Sequence, residues 1–278
     1  MRPHHTCVAA LALLSLNVVA QVSGDLDSTF SADGIATTDV QPPSSDGALC
    51  MALQPDGRII VAGSSIPQVG GTTSLALARY LPNGNLDPSF GTGGTVTTAV
   101  GVFDDVIHAI ALQPDGKIVV AGTTWTNGLG YEFLVARYDS TGALDPSFSG
   151  DGIQVDDLGT GSEDRAGAVA IQPNGKIVAA GVAQNADEDM VVCRYNSDGS
   201  FDTSFSGDGH VTIGFSTNND RAGGLVIQPD GMIAIAGYTN SGSDGDFALV
   251  RLTTAGIPDT GSGTNGTVFT SFGPGIDQ

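Results

Sequence analysis

The sequence predicts an all-β protein, a β-propeller built from four tandem four-stranded antiparallel blades. Three observations lead there: three separate phrases return four times in one order, short apolar runs alternate with Gly, Pro, Asp and Ser turns, and no window carries a useful helical period.

The first phrase, Ala52 to Gly63, returns as Ala111 to Gly122, Ala170 to Gly181 and Val226 to Gly237. The second, Leu86-Asp87-Pro88-Ser89-Phe90, returns as Leu144 to Phe148 and Phe201 to Phe205, with a degraded copy around Asp259. The third, Ala78-Arg79-Tyr80, returns as Ala136-Arg137-Tyr138, Cys193-Arg194-Tyr195 and Val250-Arg251-Leu252. Each unit divides into four strands, and the second shows how. Val106 to Leu112 is an apolar strand, and Gln113-Pro114-Asp115-Gly116 is a tight turn in which Asp and Gly meet the backbone demands of a reversal. Lys117 to Thr123 returns as a β-branched strand, Phe133 to Tyr138 is the third, and Ile153 to Asp156 the fourth. The first three are apolar on both faces, so each sheet should be covered by neighbouring sheets, as in a ring of blades.

The chain divides into residues 1–20, 21–45 and 46–278. Arg2 opens a stretch that is almost uninterruptedly apolar from Cys7 to Val19 and ends in small residues before Gln21. This is the layout of a signal peptide cleaved after Ala20, implying a secreted or periplasmic protein, and the apolar run is too short to span a bilayer. No later stretch reads as a membrane span. Residues 21–45 carry a surplus outer-type strand, Ile35 to Val40, and residues 46–278 hold the four repeats. Both ends of the chain therefore offer an outer strand, and ring closure is open. A four-blade ring with a spare strand, an arc completed by another copy, and a part of something longer all fit.

The phrases Leu-Gln-Pro-Asp-Gly-Lys-Ile-Val-Val-Ala-Gly, Leu-x-Ala-Arg-Tyr and Leu-Asp-Pro-Ser-Phe resemble the delta-60 repeat family over essentially all of the chain after the leader. The resemblance implies a propeller-like exported bacterial protein without an established activity. The layout is also similar to NHL-type blades, which implies that the strand before the Pro-Asp-Gly turn is innermost. The fourth copy departs from the pattern, with Leu and Phe lost from its second phrase and Leu252 where the others have Tyr.

Charge narrows the function classes. Thirty acids face ten bases, a formal net charge of −20, which argues against nucleic acid as a partner because binding phosphates needs clustered Lys and Arg. Such a surface suits a protein, a glycan or a cation as partner. Of the repeated bases, Arg79, Arg137, Arg194 and Arg251 each precede an Asp, at Asp87, Asp145, Asp202 and Asp259. An Arg partly buried between blades needs a carboxylate or carbonyl partner, so one structural Arg–Asp latch per blade is expected.

A second repeated set consists of acids. Asp46, Asp105, Asp164 and Asp220 stand at the start of the first strands, and Ser74, Glu132, Asp189 and Asp246 at the start of the third. First and third strands run the same way, so these positions share one face of the disc. Asp105, Asp164, Asp220, Glu132, Asp189 and Asp246 are candidate calcium ligands, since calcium takes several oxygens. The competing expectation is that each caps loop backbone. No Asp-x-Asp-x-Asp-Gly loop, Gly-x-Ser-x-Gly elbow, His-Glu-x-x-His helix or phosphate loop occurs, and His108 and His210 lie singly in strand patterns. Trp125 is expected in a long loop on the acidic face. Cys50 and Cys193 are read as fillers of small buried slots. The favoured reading is a non-catalytic binding propeller without an assured cofactor. A purely structural repeat protein, and a hydrolase or lactonase using carboxylates at the channel mouth, are the alternatives.

Overall fold

A computed structural model describes residues 25–271, apart from 129, 161, 162, 216–218, 242 and 243. The expected signal peptide and the last residue of the expected final strand lie outside the described residues. No helix among the described residues is long and apolar enough to cross a membrane.

Among the described residues, sixteen strands form four antiparallel sheets of four. Blade 1 comprises β1 (Ser44–Leu53), β2 (Ile59–Pro67), β3 (Ser74–Tyr80) and β4 (Thr95–Thr98). Blade 2 comprises β5 (Asp105–Leu112), β6 (Ile118–Thr126), β7 (Gly130–Tyr138) and β8 (Ile153–Asp156). Blade 3 comprises β9 (Arg165–Ile171), β10 (Ile177–Gln184), β11 (Glu188–Tyr195) and β12 (His210–Ile213). Blade 4 comprises β13 (Asp220–Ile227), β14 (Ile233–Ser241), β15 (Asp244–Leu252) and β16 (Thr267–Thr270). In every blade the strands pair in chain order. The fold class read from the repeats is the observed one.

β5 packs beside both β1 and β9, and β9 beside β13, so the first strands of successive blades meet. The core lies between sheets rather than within any one of them. Ile60, Ala62, Leu75 and Leu77 of blade 1 pack on Ile118, Val120, Leu134 and Ala136 of blade 2. Val119, Ala121, Phe133 and Val135 meet Ile177, Ala179, Val191 and Cys193 in the next junction. Val178, Ala180, Met190 and Val192 meet Ile233, Ile235, Ala248 and Val250 in the third. Alternate residues of one strand thus serve two junctions, which explains why these strands read as continuous apolar runs.

The second and third strands extend beyond the apolar runs that announce them. β6 continues to Thr126, so Trp125 stands on a strand and not in a loop. Pairing continues there because Trp125 opposes Tyr131 and Thr126 opposes Gly130, lengthening the hairpin. The segment Ile35 to Val40 enters no ladder. Its place is nonetheless that of an outer strand. The Thr38 hydroxyl accepts from the Tyr80 hydroxyl at 2.7 Å, as Thr98 accepts from Tyr138 at 2.9 Å one blade on.

Candidate functional site

Each of the first three blades is fastened to the next through its arginine. Arg79 donates from Nε to Asp87 at 2.8 Å, from Nη2 to Ser89 Oγ at 3.1 Å, and from Nη1 to the carbonyl of Ser140 in blade 2 at 2.6 Å. Arg137 repeats the set with Asp145, Ser147 and the Ser197 carbonyl, and Arg194 with Asp202, Ser204 and the Thr254 carbonyl. The phenyl rings of Phe90, Phe148 and Phe205 lie 4.5, 4.9 and 4.7 Å from these guanidinium carbons. A planar fork with five donors suits this divided task. Burial works to raise the Asp87 carboxyl. The hydrogen bonds from Ser89 and the charge of Arg79 outweigh it and hold the group at about 2, and Asp145 and Asp202 are likewise held low. The fourth set is reduced: Arg251 pairs with Asp259, and blade 4 has Gly261 and Ser262 where the others have Ser and Phe.

The ring of acids at the start of the first strands is turned inward. Asp105, Asp164 and Asp220 are at most 1% exposed. Asp105 accepts from the amides of Val100 and Gly101 and from the Thr124 hydroxyl. Asp164 accepts from the amides of Leu158, Gly159 and Gln184. Asp220 accepts from the Phe215 amide, and the exposed Asp46 from the Val40 amide. Each one therefore holds the loop that carries the chain from one blade into the next, as short acceptor side chains do when backbone amides have no ladder partner.

At the junction of blades 2 and 3 the acids converge. Glu132 on β7, Asp157 just after β8 and Asp164 just before β9 bring a carboxylate oxygen each to within 4.8 Å of one another. Glu132 is 2% exposed, and Asp157 opens the group to solvent. Glu132 is raised above its usual range by burial first and by the charge of Asp157 second. Asp164 is raised by burial against the pull of its three amides, with Asp157 adding to the rise. Three oxygen donors facing one another, two of them short of water, are a hard-cation donor set.

Of the six acids read as candidate ligands, two meet here, Glu132 and Asp164. Asp105, Asp189, Asp220 and Asp246 join no such group among the described residues. Asp189 is raised by burial and by Asp187 and Asp220. Asp157 is a member that the repeat does not announce, because it lies outside the three phrases. The doublet Asp156-Asp157 following an outer strand is the signal that points to it.

The aromatic side chains nearby pack on each other. Phe103 meets Trp125 edge-on at 6.2 Å, Trp125 meets Tyr131 edge-on at 4.7 Å, and Arg165 covers Tyr131 at 4.4 Å. Cys50 and Cys193 are unpaired thiols, Cys193 fully buried and Cys50 raised to about 11 by burial.

Comparison with known proteins agrees with this architecture. The model of a beta-propeller domain of unknown function, DUF5122, matches residues 54–90, 113–148, 172–205 and 228–261, which together make up half of the chain. Each match starts at the Gln of the turn phrase, and the first three end on the Phe of the Leu-Asp-Pro-Ser-Phe phrase. No functionally curated protein matches the sequence. Among solved structures, an ulvan lyase described as a new family of polysaccharide lyase aligns with a TM-score of 0.50 at 11% identity, over 76% of this chain and 54% of that one. A protein of unknown function from Dyadobacter fermentans aligns with a TM-score of 0.46 at 15% identity, over 75% and 66%. The chain thus spans between about half and two thirds of these proteins, and at 11% identity the likeness to the lyase is one of fold alone. The chain belongs to the DUF5122 beta-propeller family.

Proposed function

We propose that the chain is an exported, non-catalytic binding module whose acidic edge takes a divalent cation, with calcium the best match to its donors. The observation that carries this reading is the approach of Glu132, Asp157 and Asp164 within 4.8 Å. Two blades contribute to the group, so an ion there would also bridge a blade junction. The hydrolase or lactonase reading needs inward carboxylates free to exchange protons in one pocket. Asp105 instead spends its oxygens on two backbone amides and a hydroxyl, which suits holding a loop rather than exchanging protons.

The sign of the pH effect follows from the raised carboxyls. A carboxyl whose folded value lies above its ordinary value of 3.8 (Asp164) or 4.5 (Glu132) favours the fold while protonated. That contribution is fully present below the ordinary value and is lost as pH rises through the raised one. At pH 7 the ionised group therefore costs stability, and a bound cation offsets the cost. Calcium is expected to raise the melting temperature at pH 7 and to have little effect at pH 4. A ligand a hundredfold above its Kd adds about 2.7 kcal/mol. Glu132→Gln should raise the calcium-free melting temperature at pH 7 and remove most of the calcium shift. Equal calcium shifts in wild type and variant, or no shift at pH 7, would defeat the proposal.

A further inference from the structure

We infer that the cleft between blades 1 and 2 binds a small organic cation of the trimethylammonium class, held by aromatic rings and one carboxylate. The cleft has a volume of about 460 Å³ and is lined, among others, by Ile66 and Thr73 of blade 1, Phe103 and Asp104 in the link between the blades, and Trp125 and Tyr131 of blade 2. That volume lies in the ordinary range of small-molecule sites. The rings stand nearly at right angles to one another. Trp125 makes 78° with Phe103 and 89° with Tyr131, at centroid separations of 6.2 and 4.7 Å. Among the described lining residues Asp104 alone is charged. The buried Thr73 hydroxyl donates to its carboxylate at 2.8 Å and the Tyr131 hydroxyl at 3.3 Å, which fixes its direction. It enters no ion pair among the described residues.

The repeat does not ask for these rings. Trp125 and Tyr131 face each other across the β6–β7 hairpin, one step beyond Thr124 and Glu132. The same step holds Gln184 and Glu188 in blade 3, and Asn240 and Gly245 in blade 4. An aromatic pair there is therefore no requirement of the blade. Phe103 is 56% exposed and Ile66 43%, so the walls present apolar surface to water. Aromatic faces attract cations, Trp most strongly, and the attraction grows as water is displaced. The chain's own Arg165 already uses Tyr131 in this way, its guanidinium carbon 4.4 Å from the ring centre and its charge paired with Glu163. A lysine-type ammonium is strongly hydrated, whereas a methylated one sheds little water and offers methyl groups to Ile66 and Phe103. A formal net charge of −20 favours cations as a class. A saccharide fits less well, because the described lining residues include no Asn, Gln, Lys, Arg or His to donate to its oxygens. The cleft shares no residue with the group of Glu132, Asp157 and Asp164, so it is independent of the calcium reading.

The test is titration of the chain with choline chloride at matched ionic strength, read by calorimetry and by the fluorescence of Trp125, the sole tryptophan. Saturable binding is expected, about tenfold or more tighter than that of the neutral isostere in which a quaternary carbon replaces the nitrogen. Asp104→Asn and Phe103→Ala should each weaken choline binding about tenfold while leaving the circular dichroism unchanged. The Phe103 side chain is exposed, so if the Asp104 variant misfolds the other still decides. Calcium in excess should leave the choline affinity unchanged. No choline binding, equal affinity for the neutral isostere, or tighter binding of methyl glucoside than of choline would each overturn the proposal. So would competitive displacement by calcium, which would move the cation to the carboxylate group, or full choline affinity in both variants.

Discussion

At Arg137 a single side chain ties together three things: its own blade's Asp145 and Ser147, the Phe148 ring, and a carbonyl of the next blade. Removing it leaves the Asp145 carboxylate, 8% exposed, with Lys117 at 3.2 Å as its remaining charged partner, and leaves the Ser197 carbonyl without its donor. Breaking a buried pair from one side costs about 3–5 kcal/mol, so Arg137→Ala should lower the urea midpoint by a large fraction of the total stability. Arg137→Lys should recover little, because an ammonium cannot reach along three directions at once. A midpoint within error of wild type for Arg137→Ala would reject the latch. The latch was visible in the sequence as an Arg followed eight residues later by an Asp in each unit. Which carbonyl of the next blade it reaches was not, because a carbonyl acceptor leaves no trace in residue identity.

Each hairpin of first and second strands contains a bulge opposite a repeated glycine, and here the element dictates the residue. Between Ile107 and Ala109 the register of β5 on β6 shifts by one, and a Cβ built on Gly122 would stand 1.9 Å from the Val106 carbonyl oxygen. Gly63, Gly181 and Gly237 meet the corresponding oxygens at 1.8–1.9 Å. Backbone on both sides leaves nothing to yield, so Gly122→Ala should cost about 3 kcal/mol or more. Gly223→Ala, where nothing lies within 4 Å of the added atom, should change stability by less than about 0.5 kcal/mol. Equal thermal shifts for the two would refute the bulge argument. Strand existence and order were legible because apolar runs and Asp-Gly turns mark them, and β8 and β12 fall in the short β-branched stretches that precede polar loops. Strand ends were less so: Trp125 and Thr126 lie beyond the β-branched run, and only their partners Tyr131 and Gly130 keep the hairpin paired. The carboxylate group at blades 2 and 3 was half legible. Glu132 and Asp164 stand at repeat positions, while Asp157 enters through the path of a loop that no pattern marks.

At the scale of the molecule, no blade buries its own apolar faces. Val119 and Val120 are neighbours on β6, yet one belongs to the core shared with blade 3 and the other to the core shared with blade 1. An isolated blade would leave both sides in water, which is why repeats of this kind depend on their neighbours for stability. The most direct test of mutual shielding is equilibrium urea unfolding followed by two probes at once. Fluorescence of Trp125, the sole tryptophan, reports blade 2, while far-ultraviolet circular dichroism reports all four blades. Mutual shielding predicts one coincident transition for both probes. A fluorescence transition clearly separated from the loss of strand signal would show blades that stand by themselves, and would contradict the account.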